Sequence, residues 1–175
     1  MFEQAAAKIR LLILDVDGVL TDGKIIIDDK GDEIKYSDVK DGQGLRFILK
    51  AGLEAVIISG RESRAVEYRA NGLGIKEVYQ GIGDKKSVLD KLIRDKGLKT
   101  DEVCCIGDDI PDISMFGQVG LSIAVSNAVP EVLNAADFIT EHEGGDGAVR
   151  EICELILKAQ GKWADILSNY LDYEK

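Results

Sequence analysis

The stretch LLILDVDGVLTDG, residues 11–23, decides how the chain is read. Four apolar residues run without a break into Asp15, with Asp17 two positions on and Asp22 soon after. An unbroken apolar run belongs to a strand buried on both faces, as in a parallel sheet; a half-solvated strand would alternate. Ending such a strand in carboxylates sets like charges side by side at the edge of the core. That is unfavourable unless a cation sits among them or a reaction uses them. Residues two apart in an extended segment point the same way. Asp15 and Asp17 are therefore aimed into one crevice and Val16 into the packing.

Working outward, the first apolar run spans 9–16, and similar runs recur at 54–59, 77–80, 102–107 and 121–125, with a short one at 136–140. Helical patterns lie between them, over 42–51, 62–72, 84–96, 110–116, 129–135 and 146–159. Strands alternating with helices at this spacing predict βαβ units with right-handed crossovers, and hence an α/β, doubly wound parallel sheet. One segment departs from the rhythm. Residues 23–38, GKIIIDDKGDEIKYSD, read as a β-hairpin turning at Gly31, placed directly after the acidic loop as a lid or an interface. The tail, 161–175, carries Trp163, Tyr170 and Tyr173 beside Ile166 and Leu167. It reads as a short amphipathic helix that docks on its own body or on a neighbour. There is no repeat or low-complexity stretch, so residues 1–175 are expected to form one domain.

The net charge of −10 argues against nucleic acid and anionic membrane as partners. It also means that an anionic substrate requires a metal cation and a few placed Lys or Arg residues. No apolar run approaches the roughly 18 residues of a membrane span. The opening, MFEQAAAKIRLLILDVDG, has acids directly behind its apolar segment and no cleavage pattern, so a cytoplasmic location is expected. Cys104, Cys105 and Cys153 read as free, buried thiols, and no zinc-ligand spacing is present.

In an open α/β sheet the reactive crevice lies beyond the carboxyl ends of the strands. Asp15 and Asp17 end the first strand, Ser59, Gly60 and Arg61 the second; Lys85 follows the third, and Asp108, Asp109 and Asp112 end the fourth. Taken singly, these are ordinary residues. Asp22 suits a turn, Asp108 or Asp109 a helix cap before Pro111, Ser59 a cap, and Lys85 or Lys86 a solvated first turn. Their convergence from four strand ends is what points to chemistry. An oxygen-rich site without His or Cys suits Mg²⁺ rather than zinc. The one histidine, His142, belongs to a loop sequence. Carboxylates, Mg²⁺, a hydroxyl and a lysine suit phosphoryl transfer. One carboxylate can attack phosphorus, a second can serve the leaving alcohol and then water, and the cations neutralise the oxygens.

These residues resemble, in order along nearly the whole chain, the motifs of haloacid dehalogenase superfamily phosphatases: DVDGVLTDG, Ser59 in IISGR, Lys85 in YQGIGDKK, and the acidic IGDDIPD. Within that superfamily the chain is most similar to the 3-deoxy-D-manno-octulosonate 8-phosphate phosphatases, through DGVLTDG, VKDGQGLR, IISGRES, YQGIGDKKSVLDKL, CIGDDIPD and GGDGAVREICELIL. The resemblance implies a Rossmann-like fold with a hairpin as minimal cap. It implies a Mg²⁺-dependent phosphoric monoester hydrolase acting on a sugar-acid phosphate in lipopolysaccharide precursor synthesis. It also implies a homotetramer built with the hairpins, in which a neighbouring subunit closes each site. Carried over, Asp15 is the nucleophile and Asp17 the acid/base; Asp15, Asp108 and the backbone carbonyl of Asp17 hold the metal; Ser59 and Lys85 bind the phosphoryl group. Asp109 and Asp112 support. Thr21, Gly60 and Arg61 are expected to contact substrate, with the Arg61 guanidinium at the mouth of the crevice engaging the substrate's carboxylate through two parallel N–H bonds. Lys40, in VKDGQG, departs from the arginine of many relatives. Arg61 stands where phosphatases for nine-carbon sugar acids tend to carry Glu. A phospho-receiver domain, which tends to place its acceptor on a later strand, and a catalytically idle partner-binding subunit are the readings from other classes.

Overall fold

The computed structural model describes residues 2–171. Six strands form one sheet: β1 (Leu11–Leu14), β4 (Glu54–Ile58), β5 (Glu77–Tyr79), β6 (Val103–Gly107), β7 (Leu121–Ala124) and β8 (Phe138–Ile139). β2 (Ile26–Ile27) and β3 (Glu33–Ile34) form a separate antiparallel pair. The large sheet runs in the order β5-β4-β1-β6-β7-β8, with every neighbouring pair parallel. All four side chains of β1 are buried, which is why its sequence is unbroken grease. Chain order runs one way from β1 through β4 to β5 and the other way through β6 to β8. The switch point of the sheet therefore lies at the carboxyl end of β1, the place where open α/β sheets bind ligands.

The helices are α1 (Phe2–Ala6), α2 (Val39–Lys50), α3 (Arg64–Leu73), α4 (Lys85–Lys96), α5 (Ile110–Phe116), α6 (Pro130–Ala135), α7 (Ala148–Ala159) and α8 (Trp163–Leu171). The α/β alternation is as expected, and three boundaries are informative. α2 starts three residues earlier than its apolar pattern predicts. The Asp38 carboxylate caps it, accepting from the Lys40 and Asp41 N–H groups at 2.6 and 2.9 Å. Its glycines look like breakers in the sequence, but Gly44 serves packing: a Cβ there would lie 3.1 Å from the Arg150 Cα on α7. α1 was not anticipated. A single turn and a half, it is held by tertiary contact, with the Phe2 ring 4.4 Å from that of Phe138. α8 forms as the tail's amphipathic pattern predicts and docks on its own body. Trp163 and Tyr170 meet the edge of Phe47 at 5.8 and 5.9 Å, and the Arg150 guanidinium lies over Phe47 and Trp163 at 5.1 and 5.5 Å. Tyr173 lies outside the described residues.

The hairpin is present, with Gly31 at φ +87° in its turn, but its strands are only two residues each. Ile25, Ile26, Ile27, Ile34 and Tyr36 are left largely in solvent. The three thiols are free and buried, and burial pushes each one's pKa upward. Among the described residues no helix is long and apolar enough to cross a membrane.

Candidate active site

The loop after β1 is wound on one carbonyl. The N–H groups of Val19, Leu20 and Thr21 all donate to the Val16 oxygen, at 3.3, 2.9 and 3.0 Å. Gly18 sits at φ +100°, where a Cβ would fall 2.0 Å from the Asp108 Oδ2; only glycine lets the two strand ends meet. The loop is braced from behind by the segment preceding α7. Gly145 N–H donates to the Val19 oxygen at 2.9 Å, and a Cβ on Gly144 would lie 1.6 Å from the Gly18 oxygen.

Asp15 is buried at the centre. Lys85, at the first position of α4, donates from Nζ to Asp15 Oδ1 and to Asp112 Oδ1, at 2.7 Å each. Burial disfavours the lysine's charge, but the two carboxylates outweigh it and hold its pKa above the ordinary range. One lysine does not satisfy three acids. Burial first, then the neighbouring Asp112, push Asp15 up to about 6. Burial first, then Asp15, Asp112 and Asp109, push Asp108 up to about 8.

The fit of a cation follows from these atoms. Asp15, Asp108 and Asp112 each bring a carboxylate oxygen to within 4.8 Å of the others, and Asp108 Oδ1 is buried with no hydrogen-bond partner. Such an all-oxygen set with excess negative charge suits a hard divalent ion. Asp112 is the least available of the three. Its Oδ1 takes Lys85, and its Oδ2 accepts the Asp108 and Asp109 N–H groups at 3.0 and 3.3 Å. Asp109 takes the cap that its sequence position allowed, its Oδ1 accepting from Ile110 N–H at 2.8 Å at the start of α5.

Asp17 does not join that cluster. Its carboxylate turns toward the hairpin, where Lys35 donates to Oδ1 and the Arg61 Nε lies 3.7 Å from Oδ2. Glu33 closes this second group, its Oε1 accepting from Lys35 Nζ at 3.2 Å and Arg61 Nη2 at 2.9 Å. Lys35 and Glu33 escaped the reading of the sequence. Their one signal there is the spacing in EIK, which points two opposite charges to the same side of a strand.

Ser59 is buried at the end of β4, its Oγ accepting from Arg61 N–H at 3.3 Å, and Gly60 and Arg61 are exposed beside it. Ser59 is not the cap of the next helix; Ser63 holds that position. Thr21 faces inward. Its hydroxyl accepts from Gly18 and Gly23 N–H and donates to the Val16 oxygen, so the expected contact with substrate has no free hydroxyl valence to make it. Asp22 pairs with Lys24 at 2.8 Å as an exposed turn residue, and His142 and Lys40 are exposed. Asp41, also unforeseen, is buried and caps α7 from α2, accepting from Arg150 N–H at 2.7 Å and Gly147 N–H at 3.4 Å. It therefore fixes the helix whose leading loop braces the acid loop.

Comparison with known proteins agrees with this geometry. Residues 71–152, which include Lys85 and the Asp108–Asp112 segment, match the haloacid dehalogenase-like hydrolase family. The chain is 46% identical over 159 residues to 3-deoxy-D-manno-octulosonate 8-phosphate phosphatase KdsC of Yersinia pestis, covering 91% of this chain and 85% of that protein. The crystal structure of the Yersinia pestis phosphatase superposes with a TM-score of 0.91 at 45% identity, over 93% of this chain and 88% of that one. The Moraxella catarrhalis 3-deoxy-D-manno-octulosonate 8-phosphate phosphatase, solved with magnesium, phosphate and KDO, superposes with a TM-score of 0.94 at 40% identity, over 96% of this chain and 97% of that one. The chain belongs to the 3-deoxy-D-manno-octulosonate 8-phosphate phosphatase family of haloacid dehalogenase-like hydrolases.

Proposed function

We infer that the chain is a Mg²⁺-dependent phosphatase that hydrolyses 3-deoxy-D-manno-octulosonate 8-phosphate to the sugar acid and inorganic phosphate. The observation that carries this is the buried Asp15 carboxylate, bonded to Lys85 and within cation distance of Asp108. Asp15 is the nucleophile: its oxygen bonds to phosphorus while the ester oxygen departs. Asp17 gives that leaving oxygen its proton, then takes one from the water that cleaves the aspartyl-phosphate and restores Asp15. Lys85 and the Ser59 hydroxyl hold the phosphoryl oxygens. Mg²⁺, held by Asp15, Asp108 and the backbone carbonyl of Asp17, supplies the positive charge that these oxygens need during transfer. Asp112 aims Lys85 and the Asp108 backbone, and Asp109 caps α5.

The chain acts as one domain with the hairpin as its insertion. Exposed Ile25, Ile26, Ile27, Ile34 and Tyr36 support a closed homotetramer with the hairpins at its centre, since an apolar ribbon left free is an aggregation edge. A cytoplasmic setting suits three free thiols, two of them adjacent. The test is phosphate release from a panel of sugar phosphates with and without Mg²⁺, alongside light scattering. Turnover of the eight-carbon acid phosphate that vanishes on chelation, in a particle of four chains, is expected. Full activity after exhaustive chelation refutes the metal reading, and a fully active monomer refutes the assembly.

A further inference from the structure

The group around Asp17 is charge-balanced in a way that the mechanism does not require. Two cations from different elements converge on one oxygen: Lys35, just beyond β3, lies 3.2 Å from Glu33 Oε1, and Arg61, after β4, lies 2.9 Å from it. The same two cations flank Asp17. A pair of converging cationic donors is the geometry that binds a carboxylate. Here a carboxylate of the protein's own hairpin fills it.

We propose that Glu33 is an internal stand-in for the carboxylate of the substrate: Lys35 and Arg61 form a carboxylate subsite, and an incoming sugar acid displaces Glu33 from it. This rests on the functional reading above and adds the means by which acid-bearing phosphate esters are told from others. The spatial order supports it. Asp15 takes phosphorus and Asp17 the ester oxygen, so the rest of the ligand extends past Asp17, toward the cations that flank it. In an octulosonate 8-phosphate the carboxylate is at the opposite end of the carbon chain from the ester.

Exposure assigns the parts. The Lys35 side chain is 7% exposed, Glu33 17% and Arg61 49%. Lys35 is the fixed floor of the subsite, a desolvated cation that needs an anion at all times. Arg61 is the arm that follows whichever carboxylate is present. Glu33 sits on a two-residue strand, and its partner Arg61 is half-exposed, so a small movement of the hairpin takes it out to water. Exchange of one carboxylate for another keeps the charge count of the group. A neutral sugar phosphate or an aryl phosphate brings no such anion and leaves Glu33 in place.

The test compares Glu33→Gln, Lys35→Met and Lys35→Arg with the wild type on the sugar-acid phosphate and on para-nitrophenyl phosphate, after melting curves show each variant folded. Glu33→Gln removes the competitor and keeps the shape. Its KM for the sugar-acid phosphate is expected to fall about two- to fivefold, the worth of its pair with the half-exposed Arg61, with no change for the aryl ester. Lys35→Met is expected to raise KM for the acid substrate on the order of tens-fold, as for a lost charged hydrogen bond, while Lys35→Arg keeps the preference. Because Lys35 also touches Asp17, any fall in kcat should be common to both substrates. Titration calorimetry with the free sugar acid gives a readout that needs no turnover, and Glu33→Gln should bind it more tightly than the wild type does. A higher KM and weaker binding in Glu33→Gln would show that Glu33 positions the cations, and the proposal would fall. Equal effects on both esters would overturn it as well. A wild type that cleaves the aryl ester and not the sugar-acid phosphate breaks the functional reading instead, and the calorimetric arm still decides the subsite.

Discussion

Two charged groups meet at the carboxyl end of β1, and they differ in balance and in support. Asp15, Asp108 and Asp112 face one lysine, so the first group has a formal excess of two negative charges in largely buried surroundings, which is why Asp15 and Asp108 are pushed up. Asp17 and Glu33 face Lys35 and Arg61, so the second is neutral and sits at the rim. The first hangs on strand ends and helix starts, the second on a hairpin and a loop. The comparison teaches what each lacks. The first is incomplete without a divalent cation, which would cancel its excess. The second is balanced in charge, although the Asp17 Oδ2 has no hydrogen-bond partner, and can only trade one anion for another.

The largest effect should come from the first group. Asp15→Asn is expected to cut kcat by about a thousandfold or more, some 4 kcal/mol of barrier, because an amide cannot form the acyl-phosphate. Single-turnover assays check this, and near-normal turnover would end the nucleophile assignment. Lys85→Met strips the one cation from buried Asp15 and Asp112 and should cost about 3–5 kcal/mol in urea unfolding without metal, as breaking a buried pair does. Lys35→Met leaves Arg61 beside its two acids and should cost less. If the two costs were equal, the contrast between buried excess and rim balance would be wrong.

Metal sharpens the same contrast. Mg²⁺ at a hundred times its Kd should stabilise the wild type by about 2.7 kcal/mol. In Asp108→Asn that gain should largely vanish, while the metal-free variant becomes more stable than metal-free wild type at neutral pH, since the amide is neutral without the cost of holding an acid proton there. Scanning calorimetry with and without chelator reads both. A gain undiminished in Asp108→Asn would remove Asp108 from the metal site.

The smallest effect concerns Asp41, which lies outside both groups. Burial, ahead of the opposing hydrogen bond from the Arg150 N–H, raises it from 3.8 to about 6. A raised folded pKa contributes stability that is fully present below the unfolded value and lost as pH rises through the folded one. Wild-type stability should therefore fall relative to Asp41→Asn between about pH 4 and pH 7, by about 2 kcal/mol after allowance for solvent screening. Urea midpoints across that range check it. A constant difference would mean that the carboxyl is not perturbed.

The helix starts show where the sequence was legible. Asp109 before Pro111 reads as a cap and is one, because a cap is decided by residues within one turn. The start of α2 was misplaced by three residues because the apolar pattern begins only at Gly42, while the Asp38 cap and the uses of Gly42 and Gly44, the close approach of Arg69 and α7, lie outside that pattern. Thr21 was expected to contact substrate. Its hydroxyl instead holds the acid loop together.

By itself the sequence determined the α/β class, the buried first strand, the meeting of Asp15, Lys85 and Asp112 beside the strand ends, and the hairpin beside them. Those follow from period and spacing, which act over a few residues and are written in the chain. Tertiary structure alone decided that the Asp17 carboxylate leaves the metal cluster for Lys35. It alone set Glu33 between two cations and brought Asp41 to cap a helix more than a hundred residues away. The reason is physical: a carboxylate's partner is whichever cation or N–H group the packing of distant segments brings within about 3 Å, and no local period encodes that distance.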